Sequence, residues 1–145
     1  MHQDTEGDAY NKAITYPWPI IRLSELYLNY AEALNESTGP STEVYDALNL
    51  IRHRAGVPTV EDAWSNASNA ITVNKHLTQE GLREIIQQER SIELAFEAHR
   101  YYDIRRWKLA DKYFTTPIKG WSVNEDSEAN YYQIRDVGQR SFNSP

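Results

Sequence analysis

Cysteine is absent from this 145-residue chain, and methionine occurs once, at position 1. Without thiols there is no disulfide framework, no thiolate metal site and no cysteine nucleophile; the absence by itself fixes no compartment. Long apolar runs are missing too, since nothing approaches the roughly 20 apolar residues of a membrane-spanning helix. The opening Met1-His2-Gln3-Asp4-Thr5-Glu6-Gly7-Asp8 has neither the basic nor the apolar region of a secretion signal. Basic charge is scarce: 15 Lys and Arg stand against 21 Asp and Glu, for a net charge of -6. That balance argues against nucleic acid or an anionic membrane as a general partner. The densest basic group, Arg100, Arg105, Arg106 and Lys108, is interleaved with Glu93, Glu97 and Asp103.

Hydrophobic residues make up 40% of the chain, with four Trp and ten Tyr, which makes it globular and not disordered. The length suits one domain over 1–145 that buries roughly 70% of the surface of the unfolded chain. After a flexible opening over 1–15, the periodicity predicts a helical hairpin over about 19–56. Pro19 suits a first helical turn, where its missing N–H is not needed. Ile20, Leu23, Tyr27, Tyr30, Ala31 and Leu34 then recur at helical spacing to about Asn35. Ser37-Thr38-Gly39-Pro40-Ser41 reads as a turn. Ser41 or Thr42 is expected to cap the second helix, with Glu43 in its first turn and Val44, Ala47, Leu48 and Ile51 on its apolar face. Gly56 followed by Pro58 predicts its stop.

Residues 57–77 read as a long polar loop, of a length that is usually functional or disordered. A second helical pair is expected over about 79–112, as helices over 79–98 and 100–112, and 113–145 as an irregular tail with at most short strands. The fold class is all-α, built of hairpins that resemble tetratricopeptide units: Tyr27, Ala31 and Leu34 fit the first helix of such a unit, Ala47 and Ile51 the second. A hairpin of this kind buries its apolar face only by stacking on another.

The densest chemistry lies in 89–107. Leu82, Ile85, Ile86, Ile92 and Phe96 mark one buried face of the helix that leads into it, and Glu89 falls on that face. Glu93 and Glu97 follow on the adjoining strip. A desolvated carboxylate has to be paired, and Arg52, Arg54, Arg90, Arg100 and Arg106 are the available guanidinium partners. Two readings follow. One is a structural ion-pair cluster of Arg52, Glu89, Arg90, Glu93, Glu97, Arg100 and Arg106; the other is a pair of carboxylates hydrolysing a glycoside. Surplus arginine holds every acid ionised and favours the first, so no catalytic residue is named and the chain is read as not an enzyme. His2, His53, His76 and His99 are scattered, no Glu-x-x-His pair is present, and nearby arginines oppose a hard cation on Glu89, Glu93 and Glu97. No metal and no cofactor are expected.

Four ordered blocks resemble the C-terminal portion of the SusD/RagB family. They are Tyr16-Pro17-Trp18-Pro19-Ile20-Ile21-Arg22-Leu23-Ser24-Glu25 running on to Leu28-Asn29-Tyr30-Ala31-Glu32-Ala33-Leu34-Asn35; Ala47-Leu48-Asn49-Leu50-Ile51-Arg52-His53-Arg54-Ala55-Gly56; the run from Glu89-Arg90 through Glu93-Leu94-Ala95-Phe96-Glu97 and His99-Arg100 to Asp103-Ile104-Arg105-Arg106-Trp107; and the late segments Pro117-Ile118-Lys119-Gly120-Trp121 and Arg140-Ser141-Phe142. The resemblance implies a surface-exposed outer-membrane lipoprotein of Bacteroidetes-type bacteria. Such a protein binds oligosaccharide or polysaccharide without hydrolysing it and passes it to a SusC-type TonB-dependent transporter in polysaccharide utilization. Members are several times longer, begin with a lipoprotein signal and carry a further Pro-Ile-Pro segment, so the chain is expected to be a C-terminal piece of a larger protein. Where the family frequently has Gly, this chain has Ala98, which is expected to be more helix-tolerant.

A glycan site needs exposed aromatic faces rimmed by hydrogen-bonding side chains. Trp64, with Asn66 and Asn69 beside it, is the first candidate. Trp121, with Asn124 and Asp126 nearby, is the second, and Tyr131 with Tyr132 the third. Trp18 and Trp107 border helical faces and are expected in the core. Covering about 100 Å² of apolar surface is worth at most roughly 2.5 kcal/mol, so the expected affinity is micromolar to millimolar. The alternative from another class is a helical scaffold that contacts the transporter without binding sugar.

Overall fold

Leu28, Ala31 and Asn35 recur at three- and four-residue spacing, and in the computed structural model, which describes residues 20–138, they lie on the buried stripe of α1 (Leu23–Thr38). The expectations for 1–15, for Pro17, Trp18 and Pro19, and for Arg140-Ser141-Phe142 fall outside the described residues. The helix begins later than the Pro19 signal implies, with Ile20 and Ile21 in a bend. Ile20, Leu23 and Tyr30, placed on the inner face by periodicity, are exposed. Apolar residues occupy two sides of α1, and spacing alone does not say which side is covered.

Gly39, at φ 80°, ends α1 by donating its N–H to the Asn35 carbonyl at 2.9 Å. In α2 (Thr42–Arg54) the inner residues Val44, Ala47, Leu48 and Ile51 are buried against α1, as their spacing predicts. Ser41 precedes it, its carbonyl accepting from the N–H groups of Val44 and Tyr45. The stop is a complete left-handed cap: Gly56 (φ 71°) donates to the His53 carbonyl and Val57 to the Arg52 carbonyl, both at 3.1 Å.

The segment 57–77 is more ordered than a loop. Thr59 caps α3 (Val60–Ser65) by accepting from the Asp62 N–H at 3.1 Å. Asn49 of α2 holds the start of α3 from outside, its Oδ1 accepting from the Val60 N–H and its Nδ2 donating to Glu61 Oε2, each at 2.9 Å. A 3-10 turn, Lys75–Leu77, follows and buries His76. The Tyr45 hydroxyl donates to the His76 carbonyl at 2.9 Å, and burial, with Glu61 adding to it, raises the pKa of that hydroxyl above its ordinary value. Periodicity misses this segment because its order comes from side-chain caps around two buried apolar residues ten apart, Val60 and Ala70.

Thr78 caps α4 (Gln79–Glu93), its hydroxyl accepting from the Gly81 N–H at 3.1 Å and its carbonyl from the Leu82 N–H at 2.8 Å. A Cβ on Gly81 would sit 2.0 Å from the Lys75 carbonyl oxygen, so the helix enters where only glycine fits. Leu82, Ile85 and Ile86 complete the core built by α1, α2 and Val60. Gln79 and Asn35 exchange amide bonds across α4 and α1: Gln79 Nε2 donates to the carbonyls of Asn35 (2.6 Å) and Glu36 (3.1 Å), and Asn35 Nδ2 donates to the Gln79 carbonyl (3.0 Å).

By backbone contacts the chain divides into two compact units, Met1–Arg90 and Ser91–Pro145, where the sequence reads as one domain. The expected pair of long helices over 79–98 and 100–112 is shorter and broken. Ile92, inside α4 one residue before its end, and Phe96, beyond that end, are both exposed and do not extend its inner face. Phe96 (φ 65°) and Ala98 (φ 63°) both adopt the left-handed conformation. Ala98 therefore keeps the turn that its helix tolerance was expected to remove. After it come α5 (His99–Arg106) and α6 (Ala110–Phe114), separated at Lys108, where φ is 56°. The tail holds β1 (Ile118–Trp121), α7 (Glu128–Tyr131) and β2 (Ile134–Gly138), with the two strands paired antiparallel. The described chain is thus mainly helical with one two-stranded sheet.

Two backbone positions make opposite predictions. Gly81→Ala drives a methyl group into the Lys75 carbonyl and is expected to cost about 2–3 kcal/mol. Ala98→Gly relieves a left-handed alanine and is expected to gain about 0.5–1 kcal/mol once the greater chain entropy of glycine is set against it. Urea midpoints at unchanged slope check both; a neutral Gly81→Ala or a destabilising Ala98→Gly contradicts these backbone assignments.

Candidate functional site

Charged residues of 89–107 are paired within each unit. Arg52 of α2 pairs with Glu89 of α4 through Nη1 and Oε1, with side-chain exposures of 11% and 18%, and its Nε donates to the Pro58 carbonyl at 2.6 Å. Arg90 is buried, donates to Asn29 Oδ1 at 2.7 Å and lies 4.0 Å from Glu25 Oε1. In the second unit Arg106 pairs with buried Asp103 at 3.2 Å and sits over the half-buried Trp107 ring, while the Arg100 guanidinium lies 4.6 Å from the centre of the Tyr113 ring. Glu93 is half-buried and Glu97 exposed. Glu25, Asn29 and Asp103 are partners that the sequence reading does not name, although Glu25 and Asn29 stand four residues apart on one strip of α1. Among the described residues, no group of three or more His, Asp or Glu is arranged to hold a metal ion, and no helix is long and apolar enough to cross a membrane.

Trp64 ends up half-buried near the end of α3, with Lys75 Nζ 5.4 Å from the centre of its ring. Its carbonyl accepts from the Asn74 N–H at 2.7 Å. Asn66 Oδ1 accepts from the Ser68 N–H at 2.9 Å, and its carbonyl accepts from the N–H groups of Asn69 and Ala70. The Asn66 side chain thus builds the turn, and the Trp64 ring has a cation close by.

The second and third aromatic candidates come together as one. The strand register pairs Trp121 with Ile134, and the intervening residues fold back on themselves through the Ser122 N–H, which donates to the Tyr131 carbonyl at 3.0 Å. Ser127 caps α7 by accepting from the Asn130 N–H. Ring centres then lie 5.3 Å apart for Trp121 and Tyr132, 5.1 Å for Tyr131 and Tyr132, and 6.0 Å for Trp121 and Tyr131. The first two contacts are edge-to-face, the geometry that ring quadrupoles favour. Trp121 keeps 53% and Tyr132 55% of its surface exposed, and Ile134 beside Trp121 is exposed as well. On the other side of the hairpin Gly120 lies under Val137, where an added Cβ would meet both methyl groups at 3.3 Å. Asn130 and Gln133 flank the rings in sequence, the Gln133 amide donating to Asn130 Oδ1 at 3.4 Å. Ile134 is the member that sequence reasoning does not name; two short apolar runs around a turn-rich Ser-Val-Asn-Glu-Asp-Ser stretch are the signal that could have found it.

Comparison with known proteins finds relatives of this chain. The model of the SusD family matches residues 1–144. SusD-like protein P2 of Formosa agariphila is 40% identical over 110 residues, which cover 73% of this chain and 21% of that protein. SusD-like protein P25 of the same bacterium is 40% identical over 106 residues, covering 72% and 18%. Among solved structures, a SusD-like protein from Bacteroides fragilis superposes with a TM-score of 0.66 at 30% identity, covering 94% of this chain and 23% of the other. A SusD-like carbohydrate-binding protein from the same species gives 0.61 at 34% identity, covering 88% and 25%. The chain therefore spans about a fifth to a quarter of the length of these relatives.

The half-buried Arg52–Glu89 pair is expected to act in stability alone. Glu89→Gln leaves the Arg52 charge partly desolvated and is expected to cost about 2 kcal/mol, whereas Arg52→Met combined with Glu89→Met costs less than the sum of the single changes. Additive losses in a double-mutant cycle of chemical denaturation would show that the two side chains are not coupled.

Proposed function

Because the chain belongs to the SusD family, we propose that it captures oligosaccharides on the platform formed by Trp121, Tyr131 and Tyr132. The observation that carries this reading is that three aromatic rings are gathered by the hairpin while two of them stay half in solvent. Clustered aromatics ordinarily remove one another from water; here the fold holds them together and leaves them available to the apolar face of a sugar ring. The amide of Asn124 is a hydroxyl partner nearby in sequence, whereas those of Asn130 and Gln133 are bonded to each other. Such a platform gives micromolar to millimolar affinity, suited to capture and release.

The proposed role is binding and not hydrolysis, a reading supported by the engagement of Glu89, the acid that sequence places on the inner face, by Arg52. In the whole protein the platform would stand at the outer membrane and pass glycan to a SusC-type transporter. A second reading keeps the transporter contact without sugar. It is favoured by the outward stripe of α1, where Leu23, Leu26 and Tyr30 are all exposed.

Isothermal titration with a panel of neutral oligosaccharides separates the two. On the first reading Trp121→Ala lowers affinity by about tenfold or more, the loss of roughly 1.4 kcal/mol or more of stacking, with an unchanged far-ultraviolet spectrum, and Trp64→Ala leaves binding in place. Saturable binding that survives Trp121→Ala and disappears in Trp64→Ala would move the site to α3, and a folded chain that binds no sugar would leave the scaffold reading.

A further inference from the structure

In sequence the bases around Arg105 are interleaved with acids, but the fold of α5 separates them. Asp103 is buried and paired with Arg106, and Ile104 is buried beside it. The other side of the helix is left with Tyr101, Tyr102 and Arg105, all exposed. Their contacts are continuous. The two tyrosine rings meet edge-to-face with centres 5.4 Å apart, and the Arg105 guanidinium lies 5.2 Å from the centre of the Tyr101 ring, its Nη1 donating to the Tyr101 hydroxyl. These contacts hold the guanidinium in place, and neither brings it a carboxylate. Just beyond it α5 closes in a left-handed cap, with the Lys108 N–H donating to the Arg105 carbonyl at 3.1 Å and the Leu109 N–H to the Ile104 carbonyl at 2.9 Å. Glycine is the usual residue at that point of such a cap; here lysine takes it, at φ 56°. Lys108, Arg105, Ala110 and Asp111 line a cavity of about 220 Å³ at the junction of α5 and α6. Among the described residues, neither Arg105 nor Lys108 is paired with a carboxylate.

Resting on the glycan-binding reading of the chain but on none of the platform residues, we infer that this cavity is a second sugar site, for a uronate residue of an acidic oligosaccharide. The planar fork of Arg105 matches a carboxylate in two-point contact, and Lys108 adds a point charge from the other side of the cap. Asp111 accepts from ring hydroxyls, which a bare anion lacks. The volume is below the roughly 300–1,000 Å³ of pockets that enclose drug-sized ligands, so it suits one sugar ring and its acid group. The exposed ring of Tyr101, in contact with Arg105, offers an apolar face to the adjoining sugar.

The test titrates this chain with oligogalacturonides and with their carboxyl-reduced, neutral counterparts, at low and high ionic strength. The acidic form is expected to bind about tenfold tighter at low salt, with the gap narrowing as salt rises. Lys108→Gly restores the usual residue of the cap and so keeps the fold while removing the cation. That change and Arg105→Gln are each expected to weaken the acidic form by about fivefold or more and to leave the neutral form unaffected. Lys119→Gln, which removes one positive charge elsewhere in the same unit, is expected to change neither. An acidic form that binds no tighter than the neutral one at low salt overturns the inference, as does acidic binding that survives both Lys108→Gly and Arg105→Gln or is lost in Lys119→Gln. Acetate that displaces the acidic form at equal concentration overturns it too, since the site would then hold a bare anion only. Neutral sugars that bind while acidic ones gain nothing leave the platform standing, and acidic binding without neutral binding removes the platform alone.

Discussion

The last carbonyls of α1 set the terms for the first unit. A helix end leaves its final carbonyl groups without intrahelical donors, and a buried end has to find them elsewhere. Gly39 supplies one N–H to Asn35, the hydroxyls of Ser37 and Thr38 both reach Leu34, and the Gln79 amide covers Asn35 and Glu36. Gln79 is also the first residue of α4, so the group that ends one helix begins another. The return bond from Asn35 fixes that junction, even though buried Asn35 leaves its Oδ1 without a partner among the described residues. From there the two helices run antiparallel. Arg83 meets Glu36 near the junction, and Arg90 meets Asn29 and Glu25 further along. With Arg90 directed to α1, its neighbour Glu89 is turned toward α2 and meets Arg52 there. The ion pairs are therefore consequences of an alignment set by amides.

The second unit rests on local closures. A two-stranded sheet is marginal in water unless something covers it, and here the rings of Trp121, Tyr131 and Tyr132 pack on one another where the hairpin closes. Platform and structural support are the same atoms. Tyr131, the half-buried member, anchors the connection through its carbonyl, while Trp121 and Tyr132 face outward. Edge-to-face contact fixes the ring planes, so a sugar that stacks on them would lose little further side-chain freedom from the protein.

Sequence revealed most where one signal was unambiguous. The face Val44, Ala47, Leu48 and Ile51 and the Gly56 stop are visible because periodicity and a glycine cap agree, and all of them hold in α2. In α1 two apolar stripes compete, and Leu23 and Tyr30 fall on the outer one. The apolar pattern runs on through Ile92 to Phe96, past the end of α4 at Glu93, without any helix breaker, and nothing in a single alanine announces a left-handed turn. The pieces of the platform were legible as exposed aromatics, but not their union. That union depends on strand register and on one backbone bond between residues nine apart, information that side-chain identity does not carry.

The two tryptophan candidates differ in what already occupies their rings. Trp64 has Lys75 close to its ring, a contact of the cation–π type that a sugar would have to share or displace. The near neighbours of Trp121 are other aromatic rings, and about half of its surface still meets water. Displacing water from an apolar ring favours binding, whereas displacing a cation opposes it. The same comparison explains why Asn66, which looks like a sugar-binding side chain in sequence, contributes differently: its acceptor is engaged by Ser68. A polar group that builds its own turn is a poor hydroxyl partner, because each bond to a ligand would have to replace one that holds the backbone.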